Sequence, residues 1–171
     1  MFVLGIDPGL TRCGYGAVRT HPEQHGLLEA MAAGVVETDP KAPTPERLGI
    51  LLAELEALVE ELRPDVVCVE RVFFQANVQT AMAVSGAAGV AQAVAARAGV
   101  EVVEYTAQQV KVAVAGNGAA GKADVQRMVT LLLGLRGTVR PPDAADALGL
   151  AITHHLATPL LRAARAQEVL A

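Results

Sequence analysis

Phe2-Val3-Leu4-Gly5-Ile6 is a continuous apolar run, the pattern of a strand buried on both faces, and Asp7-Pro8-Gly9 closes it with a turn signal. Cys13 to Arg19 continues in small and β-prone residues, so the first two strands are expected to form a hairpin. A third strand falls within Leu27–Glu37. Pro40, Pro43 and Pro45 mark a loop. Thr44-Pro45-Glu46 then reads as a helix start, with a capping hydroxyl, proline at the first helical position and an acid in the first turn. Leu48, Leu51, Leu52, Leu55, Leu58, Val59 and Leu62 form a helical stripe, which Arg63-Pro64 ends.

Val66-Val67-Cys68-Val69 has the uniform apolarity of a parallel strand, and Glu70 follows at its carboxyl end. Small residues from Asn77 to Ala98 predict a long helix closed by Gly99. The stripe Ala83, Gly86, Ala87 and Val90 on it is a candidate subunit contact. Val100 to Tyr105 predicts another strand, and Ala107–Ala115, Lys122–Leu133 and Asp143 to about Leu156 predict helices. Three early strands followed by alternating helices and strands suit an α/β fold: a mixed five-stranded sheet, antiparallel first and parallel later, flanked by helices. Residues 1–157 then form one domain, and 158–171, broken by Pro159, form a C-terminal tail without a pattern of its own.

With 171 residues and 52% apolar content, the chain can bury a core without disulfides. Its two cysteines suit apolar packing in a reducing cytoplasm. The uncharged stretch between Arg71 and Arg97 is Ala- and Gly-rich and carries several amides, so it reads as a buried helix and not as a membrane span. A net charge of −4 is unusual for a nucleic-acid binder, but its distribution is uneven. Residues 1–70 carry 5 basic and 12 acidic side chains and residues 71–171 carry 9 and 6, which leaves room for a local positive face.

The candidate chemistry lies in four acids. Asp7 and Glu70 each end an apolar strand, and parallel neighbours would bring both to one rim of the sheet. Asp143 and Asp146 open the last helix at a spacing that puts both on one face. Taken singly, each has an ordinary explanation: a turn former, a solvated strand end, a first-turn acid. Together, without clustered Cys or His, they suit a hard cation, Mg²⁺ or Mn²⁺. Without one, their mutual repulsion should raise at least one carboxyl pKa. Two such ions about 3.5–4 Å apart can activate a water and stabilise the leaving oxygen of a phosphoryl displacement.

Gly5-Ile6-Asp7-Pro8-Gly9, Val69-Glu70-Arg71-Val72-Phe73, Gln109-Val110-Lys111 and Asp143-Ala144-Ala145-Asp146-Ala147-Leu148 together resemble, in order and over nearly the whole chain, the motifs of the RuvC Holliday-junction resolvases. The resemblance implies a ribonuclease H-like fold and a homodimer that nicks opposed strands of four-way junction DNA. It further implies a catalytic, metal-binding tetrad of Asp7, Glu70, Asp143 and Asp146, holding two Mg²⁺ or Mn²⁺ ions per site. Lys111 and Lys122 match the family's active-site and DNA-contacting lysines. Phe73, with Phe74 beside it, matches an aromatic set against junction bases. The RuvA and RuvB branch-migration proteins are implied partners, although no docking motif for them is visible.

Other readings fit less well. Gly116 to Lys122 matches G-x4-G-K, but Ala123 replaces the Ser or Thr a phosphate loop needs, and the loop follows a predicted helix. Actin-like and sugar-kinase folds share the opening hairpin but need a second domain. A non-catalytic junction-binding module would lack one of the acids. A related YqgF-type nuclease, resolvase-like or RNA-processing, is disfavoured by Phe73 and the Gln109-Val110-Lys111 element. The histidines read as structural or surface groups, since His154 lies too far along its helix from Asp143 to share a metal.

Overall fold

The computed structural model describes residues 1–24, 26–71 and 78–157. Five strands, β1 (Phe2–Asp7), β2 (Arg12–Thr20), β3 (Leu28–Glu37), β4 (Val66–Glu70) and β5 (Glu101–Tyr105), form one sheet in the order β3-β2-β1-β4-β5. The first three are antiparallel, whereas β4 and β5 run parallel to β1. This is the mixed sheet expected of a ribonuclease H-like fold. Five helices accompany it: α1 (Thr44–Leu62), α2 (Val78–Arg97), α3 (Ala107–Ala115), α4 (Lys122–Leu132) and α5 (Pro142–Leu156). Among the described residues, no helix is long and apolar enough to cross a membrane.

Both faces of β1 and β4 are covered, which is why their sequences show no polar alternation. On one face Leu4, Ile6, Val67 and Val69 pack with Leu51 and Leu55 of α1 and with Ala87, Ala91 and Val94 of α2. On the other, Val3, Val66 and Cys68 pack with α3, α4 and α5, including Val110, Val129, Leu148 and Ile152. Cys13 and Cys68 are buried on opposite faces of the sheet, so their separation rules out a disulfide between them.

Helix α5 lies unusually close to the sheet, and three glycines make this possible. A Cβ on Gly5 would fall 2.0 Å from the Ala147 carbonyl oxygen, one on Gly14 2.2 Å from that of Asp143, and one on Gly16 2.6 Å from the Leu148 nitrogen. Gly5 and Gly16 are paired across β1 and β2, and Gly14 lies two residues from Gly16 on the same face. The result is a side-chain-free patch on which the backbone of α5 rests.

One expectation changes. Helix α1 is capped at Pro43, with Thr44 its first residue and no side-chain capping bond. The proline ring and a ψ of 142° hold residue 43 in the extended conformation of a cap, so the helix starts one residue earlier than the Thr44 hydroxyl suggested. The small-residue stripe of α2 also packs within the subunit: Ala87 is fully buried, Val90 packs on the same core, and Gly86 faces Leu48 of α1. Small residues there let two helices of one chain approach. The boundaries of α3 and the other helices agree with the sequence pattern to within one residue. Phe73, Phe74 and the 158–171 tail lie outside the described residues.

Gly5→Ala is expected to destabilise the fold by about 1–3 kcal/mol through overpacking against α5. Gly49→Ala, on an open face of α1, is expected to stabilise it by about 0.5–1 kcal/mol. Chemical denaturation of both variants checks the contrast, and equal stabilities would contradict the close approach of α5.

Candidate active site

Strand alternation decides where the acids point. Val3 and Gly5 face α5, so Asp7, two residues further on, lies on that face as well. Cys68 faces the same side, so Glu70 follows it. Ile6 pairs with Val69 in parallel register, which makes Asp7 and Glu70 neighbours at the carboxyl ends of β1 and β4. The first turn of α5, seated on the glycine patch, supplies Asp143 and Asp146 above them.

The four carboxylates interact. Burial and the charge of Glu70, followed by a hydrogen bond with Glu70 and the charges of Asp146 and Asp143, push the Asp7 carboxyl up to about 8. Glu70 is also raised, first by burial, while its hydrogen bond with Asp7 works in the opposite direction. Asp7 is therefore the protonated partner, donating its O–H to the Glu70 carboxylate. The repulsion anticipated from the sequence thus falls mainly on Asp7.

Two cations balance the outer pair. Lys122, the first residue of α4, places Nζ 2.6 Å from Asp146 Oδ2, and its pKa is raised chiefly by this contact. Arg12, at the start of β2, places Nε 3.0 Å from Asp143 Oδ2 and also pairs with Glu37, its cross-strand neighbour. The described residues contain no group of three or more Asp, Glu, His or Cys side chains spaced to hold a metal ion. The donor set nonetheless suits one: all of its ligating atoms are hard oxygens, and the proton shared by Asp7 and Glu70 marks a buried place short of positive charge.

Of the residues singled out from sequence, Asp7, Glu70, Asp143, Asp146 and Lys122 come together. Lys111 is half-buried on α3, which packs against α5, but makes no ion pair with the carboxylates. His154 is buried deeper along α5, where its Nδ1 is 3.0 Å from the Tyr105 hydroxyl, well apart from the acids. The Gly116–Gly121 loop follows α3, so it lacks the strand-to-helix setting of a phosphate loop. Sequence reasoning missed Arg12 and the glycine patch. The Gly14-x-Gly16 repeat on one strand face, with Gly5 in the neighbouring strand, was a usable signal for the patch. Nothing local marks Arg12, because its partner Asp143 is 131 residues away.

A family model described as crossover junction endodeoxyribonuclease RuvC matches residues 3–154. The chain belongs to the RuvC family. It is 54% identical to the RuvC of Salinispora arenicola over 154 residues, covering 90% of this chain and 87% of that protein. It is 49% identical to the RuvC of a Nocardioides species, also over 154 residues, covering 90% of this chain and 86% of that one. Among solved structures, Thermus thermophilus RuvC in complex with a Holliday junction substrate superposes with a TM-score of 0.85 at 39% identity, covering 91% of this chain and 93% of that one. A yeast mitochondrial Holliday junction resolvase shares the fold at 15% identity, with a TM-score of 0.64 over 90% of this chain and 78% of that one.

In the absence of divalent cations, the raised Asp7 pKa has a direct consequence for stability. The folded protein keeps a proton on Asp7 where the unfolded chain has lost it, so this group's contribution is full below about pH 4 and declines as pH rises toward about 8. Asp7→Asn is expected to flatten that part of the profile and to exceed the original protein's stability at pH 8 by an amount on the order of a few kcal/mol. Denaturation in EDTA at a series of pH values measures this, and a parallel pH dependence in the two proteins would contradict it.

Proposed function

We propose that this chain resolves Holliday junctions by paired, symmetric nicking in DNA recombination and repair. The observation that carries this reading is the meeting of four carboxylates from β1, β4 and α5 at one rim of the sheet. They do so in a chain that matches a junction-bound RuvC over 91% of its length.

In this reading residues 1–157 form the nuclease domain, 158–171 a tail, and the protein works as a cytoplasmic homodimer. A junction has approximate two-fold symmetry, and a two-fold enzyme presents equivalent sites to opposed strands. Asp7, Glu70, Asp143 and Asp146 hold the metal, Mg²⁺ or Mn²⁺, two ions per site. The metal supplies an activated water and charge stabilisation for in-line hydrolysis, leaving 5′-phosphate and 3′-hydroxyl ends.

The protein's own groups then have definite tasks. With a metal bound, the proton on Asp7 would pass to solvent, leaving both Asp7 and Glu70 as carboxylates able to ligate. Lys122, held by Asp146, is close enough to the acids to offer positive charge to the attacked phosphate. Arg12 fixes the orientation of Asp143. Lys111 on α3 meets the DNA backbone beside the site, and Phe73, with Phe74 adjacent, stacks on bases at the crossover. RuvA and RuvB are the expected partners in branch migration.

Incubation with a synthetic four-way junction and with linear duplex, with and without Mg²⁺, tests the function. Symmetric nicks in the junction alone, dependent on the ion, are expected. Asp7→Asn should abolish cutting and retain junction binding, and cutting by that variant would defeat the assignment of Asp7. Millimolar Mn²⁺ should raise the melting temperature of the original protein more than that of Asp7→Asn, as binding to the folded state alone requires. An equal rise in both would remove Asp7 from the ligand set.

A further inference from the structure

A cleft of about 450 Å³ is lined by the Gly9–Arg12 turn, by Arg47, and by Ala83 and Val84 of α2. Arg47 is buried, with 9% of its surface exposed. Its Nε donates to Thr38 Oγ1 at 2.9 Å and its Nη2 to Thr11 Oγ1 at 2.6 Å. Thr38 Oγ1 in turn donates to the Leu10 carbonyl at 2.5 Å, and the Thr38 N–H to the Thr11 carbonyl at 3.0 Å. The guanidinium is therefore fixed in place by neutral oxygens alone.

That arrangement leaves a charge unbalanced. Among the described residues Arg47 has no carboxylate partner, and only two of its five N–H groups are used. A buried cation is costly unless an anion meets it. Its position adds to the cost, because the first turn of α1 carries the positive end of the helix field. A leucine or methionine would fill this place without that expense. Arg12 contributes a second cation to the cleft while touching Asp143, so one side of the cleft adjoins that acid.

We propose that this cleft is a phosphate subsite. Resting on the nuclease reading above, it takes a backbone phosphate of the DNA strand being cut, next to the phosphate under attack. Arg47 is the rigid member, with its free N–H groups forming a planar fork suited to phosphate oxygens. Arg12, held by Asp143 and Glu37, is the second cation of the cleft. Anchoring a neighbouring phosphate would fix the strand's register against the acids, which is how phosphate contacts act generally.

Methylphosphonate substitution, one phosphate at a time along a synthetic four-way junction, tests this, with binding measured in the cleavage-silent Asp7→Asn protein. Neutralising one phosphate next to the cut position is expected to weaken binding several-fold. Adding Arg47→Gln should erase that positional effect and reduce the slope of log affinity against log salt by about one unit. If Arg47 served only the fold, its loss would lower the melting temperature and weaken all junctions alike, leaving the slope and the positional effect unchanged. That outcome overturns the proposal. If Arg47→Gln does not fold, Thr11→Val, which removes one acceptor but keeps the charge, should shrink the effect at that same phosphate, and an unchanged effect there likewise overturns it. Cutting by the original protein is recorded alongside: normal cutting with no positional effect removes the subsite only, whereas no cutting removes the nuclease reading itself.

Discussion

The packing of α5 against bare backbone is the constraint on which the site depends. Gly5, Gly14 and Gly16 leave no side chains between the sheet and the helix, and a single methyl group at any of them would overlap α5. Because the helix rests there, its first turn lies over the carboxyl ends of β1 and β4. A helix held at an ordinary distance by larger side chains would carry Asp143 and Asp146 away from Asp7 and Glu70. The close contact thus sets both the stability of this face and the geometry of the acids.

The consequence is a concentration of negative charge that the protein only partly offsets. Lys122 and Arg12 meet the two outer acids, while the two inner ones share a proton. The least satisfied position is therefore at the rim of the sheet between β1 and β4, where the hard oxygen donors suit a hard cation. Burial makes each unmet charge count for more than it would in water, so the site trades stability for the capacity to bind. The same logic holds for buried Arg47, which among the described residues stands beside hydroxyls without an acid.

The two faces of the sheet have different tasks. Helices α1 and α2 cover one face with leucine, alanine and valine, a layer whose main role is burial. Helices α3, α4 and α5 cover the other, and the acids and Lys122 come from that side or from the strand ends that point to it. Arg47 is the exception, a charged residue from α1 reaching the turn that follows β1.

Much of this was legible in the sequence, because much of it is local. Apolar runs and their spacing set the strands and helices, Asp7 and Glu70 were visible as acids ending buried strands, and Asp143 and Asp146 as a pair on one helix face. Ordered motifs carried the family. Tertiary structure alone decided which charges meet. Whether Asp7 or Glu70 keeps the proton depends on burial and on neighbours from other elements. The Arg12–Asp143 pair joins residues 131 apart, and the Arg47 cluster joins α1 to the turn after β1 and the end of β3. The start of α1 was misread for the same reason, since a cap is defined by what lies against it. Electrostatic pairing depends on distance in space, and a linear pattern records only distance along the chain.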